Sequence, residues 1–248
     1  MPHTSPLPKP SPWSVSAVIA ALPNPPQEHS ESPIPFFHLV ERLKIEKREG
    51  WRRFGISHGE SIADHMYRMS ILTMLAPPSI SSQINIPRCT KMALIHDMAE
   101  SLVGDLTPVD GVPKVEKNRR EAATMDYICN NLLGKVHGGL AGKDIRETWQ
   151  EYEDGETLES QFVHDVDKVE LILQMVEYER AHNCVLDLSE FSWVATRLCL
   201  PDMKKWAQEI LDEREMLWES KGKEAGEPTD ASTLKEQQNE YYGKGQAK

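Results

Sequence analysis

Two His–Asp dipeptides stand inside apolar helical patterns, where a charged pair needs a compensating partner. His96-Asp97 lies in KMALIHDMAESLVGDLTP, residues 91–108, whose Met92, Ala93, Ile95, Met98, Ala99 and Leu102 supply an apolar face. His164-Asp165 lies in FVHDVDKVELILQ, residues 162–174. With nine histidines in 248 residues such a dipeptide also arises by chance, so alone it favours a capped or solvated pair. Context adds weight. His65 sits amid Ile62, Met66 and Met69, and Asp167 amid Val166, Val169 and Leu171. A lone histidine on such a face is more often a satisfied core residue. Two histidines and two aspartates from separate core helices instead compose a mixed nitrogen and oxygen ligand set. That set suits Mn, Fe, Co or Zn and leaves positions open for water and phosphate. Glu100, four residues after His96 and on the same helical face, is available as ligand, base or hydrogen-bond acceptor.

The elements that must position these groups read as helices. Phe37, Val40 and Leu43 fall at helical spacing, and Gly50 is expected to stop that run. The next helix starts at a capping box, either Ser57 with Glu60 or Ser61 with Asp64, and stops before Pro77. One helix is expected from about Pro87 to Val103, with Gly104 behind it, and another from Pro113 to about Leu133. Three more cover about 140–153, 158–181 and 203–219. No stretch alternates with period two over strand length, so the fold class is all-α.

Composition bounds the partners. Hydrophobic residues are 39% and charged residues 27%, enough for one sizeable core. Residues 1–33 hold most of a Pro excess and read as a disordered Pro/Ser-rich extension, in which Val15 to Leu22 could form a turn or two of helix. Residues 221–248 read as a polar tail, leaving 34–220 as the domain. No apolar run spans a membrane, and neither a secretory signal nor an Arg-rich transit peptide fits the start. The four cysteines, Cys89, Cys129, Cys184 and Cys199, form no C-x-x-C pair, so reduced thiols and a cytoplasmic or nuclear home are expected. A net charge of −11 argues against polymeric nucleic acid as a partner, while a small phosphorylated substrate at a local basic patch stays possible.

The order H…HD…D, with ESIADH at 60–65, HDMAESLVGDLTP at 96–108 and DKxE at 167–170, resembles the HD superfamily of phosphohydrolases. More narrowly it is similar to the 5′-deoxynucleotidase branch and its eukaryotic HD-domain-containing relatives. The likeness spans about residues 36–218 and includes EKxRRE at 116–121 and EYE at 151–153. It implies an HD-domain helical bundle whose divalent metal is held by His65, His96, Asp97 and Asp167. The pattern FVxxxD selects Asp167, leaving His164 and Asp165 at the surface or just behind the site. Glu100 matches the family's catalytic carboxylate and Asp105 its sugar-contacting aspartate. Arg48 and Trp51 match its substrate-side arginine and tryptophan, with Arg52 and Arg53 as neighbouring alternatives to Arg48. The activity implied is hydrolysis of a deoxyribonucleoside 5′-monophosphate by a homodimer carrying Mn, Co, Fe or Zn, with Mg as the candidate at a second site. Two other readings remain: an HD phosphohydrolase acting on another nucleotide phosphoester, and a non-catalytic helical module that binds a nucleotide or a partner.

Overall fold

A computed structural model describes residues 12–227, and among them there is no strand. The α-helices are α1 (Val15–Ala21), α2 (Ile34–Val40), α3 (Arg42–Ile45), α4 (Glu49–Arg52), α5 (Ile62–Met74) and α6 (Pro78–Ser81). They continue as α7 (Ile86–Ala93), α8 (Glu100–Val103), α9 (Lys114–Tyr127), α10 (Leu140–Asp154), α11 (Leu158–Ala181) and α12 (Pro201–Ser220). The all-α expectation is met. No helix among the described residues is long and apolar enough to cross a membrane.

The central element is α11. Phe162, Val163, Val166, Val169, Ile172, Met175 and Val176 are buried around much of its circumference, and a helix apolar on most sides belongs inside. Helices α5, α7, α10 and α12 pack on it. The apolar core has two parts, one around α11 and α12 and one around α5, α9 and the turn after α7. Helix α5 gives Met69 to the first part and Ile62 and Met66 to the second; the α7 region gives Met92 and Ala93 to the first and Ile95 and Met98 to the second. His65 and His96 therefore sit on the seam between them.

Local chemistry sets the ends of α5. Ser61 accepts the Asp64 N–H, and the Asp64 carboxylate accepts the Ser61 N–H, so the second of the two capping boxes forms. That leaves Glu60 free of capping duty. Its carboxylate accepts the Trp51 indole N–H at 2.8 Å.

The structure departs from the sequence reading at three places. Gly50 does not stop a helix: it lies within α4, against the Phe191 ring. The helix expected over 87–103 is broken, because α7 ends at Ala93 and the chain runs through tight i to i+3 turns before α8. Ile95, Met98 and Glu100 donate to the carbonyls of Met92, Ile95 and Asp97. His96 bonds the Ala93 carbonyl at 3.0 Å and holds the break. Finally, residues 12–33 are not a loose extension. Ser14 caps α1, Ile19 is buried against α8 and α9, the His29 N–H donates to Asn131, and Trp13 lies over Arg119 and Arg120. A few apolar residues at helical spacing suffice to dock a short Pro-flanked segment on an existing core. Residues 1–11 and 228–248 lie outside the described residues. Within the expected tail, Lys223 donates to the Cys184 carbonyl and Arg214 to that of Gly226.

Candidate metal centre

Three packed elements bring the sequence candidates together: α5 carries His65, the turn after α7 carries His96 and Asp97, and α11 carries Asp167. Donor atoms of His65, His96 and Asp97 lie within 4.8 Å of one another. Asp167 joins them through its Oδ1, 3.2 Å from His65 Nε2. Asp97 Oδ2 is 3.2 Å from His96 Nε2 and 3.9 Å from His65 Nε2. The broken helix explains how Asp97 reaches this point: the tight turns let neighbouring side chains converge.

Both imidazoles are oriented from behind. His65 Nδ1 lies 2.5 Å from the buried Glu170 carboxylate, and His96 Nδ1 bonds the Ala93 carbonyl. This arrangement puts the proton on Nδ1 and turns Nε2 toward a ligand. Glu170 is in turn gripped by Arg68, whose Nε donates at 2.8 Å. His65 Nε2 is fully buried and, although close to Asp167, has no hydrogen bond of acceptable geometry. A buried nitrogen whose neighbours converge on a common point rather than on each other fits a divalent cation.

The electrostatics mark a point where the acids draw positive charge, which a protonated His65 supplies when no cation is bound. Burial and the Arg48 charge press His65 toward its neutral form, but Glu170 and Asp167 outweigh them and raise its pKa to about 10. Burial likewise opposes the charges of Asp97 and Asp167, yet the two histidines and Arg48 hold both far below the usual carboxylate range. Glu100 behaves oppositely: burial and the charges of Asp97 and Asp105 push it well above that range. Its Oε2 is buried without a partner.

The other expected residues divide. Arg48 lies at the centre, Nη1 3.4 Å from Asp97 Oδ2, whereas Arg52 pairs with Glu49 at 2.8 Å and Arg53 pairs with Glu190. Asp105 accepts the Glu49 backbone N–H at 2.6 Å and so anchors the start of α4 beside Arg48. Trp51 requires correction. It is 1% exposed, packed on Tyr178 and Phe191 with ring centroids 5.2 and 4.5 Å away, and offers no open face to a substrate. A large aromatic next to a basic run resembles a ligand platform in sequence, but here its area goes into the core.

Of the two places expected for the second dipeptide, Asp165 does not take the surface one; it is fully buried and accepts the N–H groups of Cys199 and Leu200 ahead of α12. His164 donates to the Tyr152 carbonyl at 2.9 Å and lies against that ring, 3.9 Å between centroids. Tyr152 in turn approaches Asp167 at 3.5 Å. Sequence reasoning missed Glu170, Arg68 and Glu60. The only signal was Glu170 at three residues from Asp167 in DKxE, a spacing that puts both on one side of α11.

Comparison with known proteins agrees with this geometry. The chain matches the HD domain family over residues 40–206. It is 47% identical over 192 residues to the 5′-deoxynucleotidase hdd1 of Schizosaccharomyces pombe, covering 77% of this chain and 94% of that protein. It is 37% identical to the mouse (Mus musculus) 5′-deoxynucleotidase HDDC2, covering 72% of this chain and 86% of that one. The solved structure of the HD domain-containing protein YGK1, a Saccharomyces cerevisiae protein, superposes with a TM-score of 0.59 at 29% identity, over 82% of this chain and 93% of that one. A His/Asp cluster able to hold a metal, at the seam of an all-helical HD domain, and these relatives lead to one conclusion: the chain belongs to the HD-domain family of 5′-deoxynucleotidases.

Proposed function

We propose that this protein hydrolyses deoxyribonucleoside 5′-monophosphates to deoxyribonucleosides and phosphate at a divalent cation held by His65, His96, Asp97 and Asp167. The observation that carries the reading is the buried His65 Nε2, backed by Glu170 and facing Asp97 and Asp167 without a hydrogen bond of its own. When bound, Mn, Co, Fe or Zn would acidify a water toward neutral pH and draw charge from the phosphoryl oxygens.

The chain's own groups supply the rest. Arg48 turns its guanidinium toward Asp97 and can clasp two phosphate oxygens at once. With a cation bound beside Asp97, Glu100 would ionise and its unpartnered oxygen would take the proton of the attacking water. Asp105 spends one oxygen on the Glu49 N–H, and its other oxygen accepts from a sugar hydroxyl. Glu100 and Asp105 are also the acids that a second ion such as Mg would meet. Trp51 acts through support, holding α4 and hence Arg48 against the core. The domain proper is residues 34–220 with the docked segment 12–33 packed on it, and 221–248 read as a polar tail. Two copies are proposed to pair: Tyr67, Ile71, Met74 and Leu75 form a stripe on and just past α5 that is 40–66% exposed, a face that gains from being covered. Four free thiols suit the cytoplasm or nucleus.

The test is phosphate release by metal-replete protein from the four common deoxyribonucleoside monophosphates. Release from at least one, with little from the matching triphosphates, is expected; no release from any removes the proposal. Glu100→Gln should keep its metal and lose about 10²–10⁴-fold in turnover.

A further inference from the structure

Two acids near the metal centre, Glu121 buried and Glu153 half-buried, have no part in the chemistry described above. Glu121 on α9 and Glu153 on α10 both face the Asp97 and His96 charges. Burial raises the pKa of Glu121, and burial together with the Glu121 charge lifts Glu153 to about 7. Packing alone does not account for them, since apolar side chains of similar size would fill the same space without desolvating a carboxyl. Between these acids and Glu100 stands Lys117. Its Nζ lies 3.3 Å from Glu121 Oε1 and 3.8 Å from Glu100 Oε1. The lysine side chain is 16% exposed, so this contact is far less screened than a surface pair.

The elements explain the arrangement. Lys117 and Glu121 are one helical turn apart on α9, on one face. That helix packs against α8, whose first residue is Glu100. One Glu100 oxygen therefore meets a cation, while the other has no partner.

We infer that Lys117, gripped by Glu121, is a positioning residue for Glu100: it fixes Oε1 and so presents Oε2 to the attacking water. The same ammonium offsets Glu121 and Glu153, whose charges would otherwise repel an incoming phosphate. The inference rests on the phosphohydrolase reading and adds to it a residue that acts through Glu100.

The test uses full-length, metal-replete protein with deoxyadenosine 5′-monophosphate or whichever deoxy monophosphate is turned over fastest. Lys117→Met is expected to lower kcat about 10–100-fold while KM stays within about twofold. Lys117→Arg, which keeps a cation, should recover most of that loss. Metal content by elemental analysis and the melting temperature should match wild type in both variants. In a Glu100→Gln background, adding Lys117→Met should slow the residual rate by less than about twofold, because the group it positions is already gone. Four results would each overturn the inference: wild-type kcat in Lys117→Met, a loss confined to KM, an undiminished loss in the Glu100→Gln background, or a folded Lys117→Arg that recovers nothing. If Lys117→Met fails to fold, Glu121→Gln carries the same prediction at smaller size, and unchanged kcat there overturns it. Wild-type turnover judges the underlying reading separately: absent turnover removes the phosphohydrolase, whereas an active wild type beside an unaffected Lys117→Met removes only the role of Lys117.

Discussion

His96 and Asp97 occupy a tight turn between α7 and α8, whereas His164 and Asp165 occupy the regular body of α11. In the turn, His96 Nε2 and Asp97 Oδ2 come within 3.2 Å and address one point. In the regular helix, consecutive side chains diverge by about 100°. His164 accordingly turns to Tyr152 on α10, and Asp165 turns to the backbone ahead of α12. The same two residue types thus converge on one point where the backbone is broken, as a ligand pair would, and make two unrelated structural contacts where it is not. Charge environment follows. Asp97 is surrounded by two histidines and Arg48, which keep it ionised, while burial raises the pKa of Asp165 against the pull of two backbone N–H groups.

Breaking the first dipeptide should have the largest effect. Asp97→Ala is expected to abolish tight metal binding and cut turnover by about 10³-fold or more, read by elemental analysis and phosphate release. Wild-type metal content in that variant would break the comparison outright. Glu170→Gln sharpens it by acting one contact behind the ligands. Losing the carboxylate behind His65 Nδ1 should weaken metal affinity about 10–100-fold, measured by competition with a chelator.

The second dipeptide should respond in stability alone. Asp165→Ala leaves the Cys199 and Leu200 N–H groups without their acceptor and should cost about 2–4 kcal/mol in denaturant unfolding, with metal content and kcat unchanged. Loss of metal from a folded Asp165→Ala protein would show that the two dipeptides are not separate devices. The smallest effect is a pH dependence. Burial and the nearby Lys168 charge depress the His164 pKa from 6.5 to about 4. Its neutral form therefore contributes stability that is fully present above pH 6.5 and lost as pH falls toward 4, because the unfolded chain takes up the proton first. Allowing for the ring's partial exposure, about 1 kcal/mol should be gone by pH 5. His164→Phe should flatten that part of the melting profile, and an unchanged slope would assign it to other groups.

Much of this was legible in the chain. The positions and bounds of α10, α11 and α12 follow from the apolar pattern, because α10 and α12 each bury one long face and α11 is apolar on most sides. His65, His96, Asp97 and Asp167 stood out because polar groups interrupting apolar stripes demand a partner, and the family resemblance then chose them over His164 and Asp165. Local rules could not show the break after Ala93. It depends on His96 bonding a carbonyl three residues back and on a cluster of side chains that three separate elements bring together. Residue type also misled at Trp51 and Asp165, since an aromatic or an acid carries no mark of which neighbour it will face.

The sequence by itself determined an all-α core and the types and order of the candidate ligands along the chain, because periodicity and side-chain chemistry are local properties. Only the tertiary structure showed how His96 and Asp97 converge on one point, that Arg48 and not Arg52 or Arg53 faces it, and that Glu170 stands behind His65. Those outcomes depend on the directions of side chains from elements as far as 105 residues apart, and direction is set by packing.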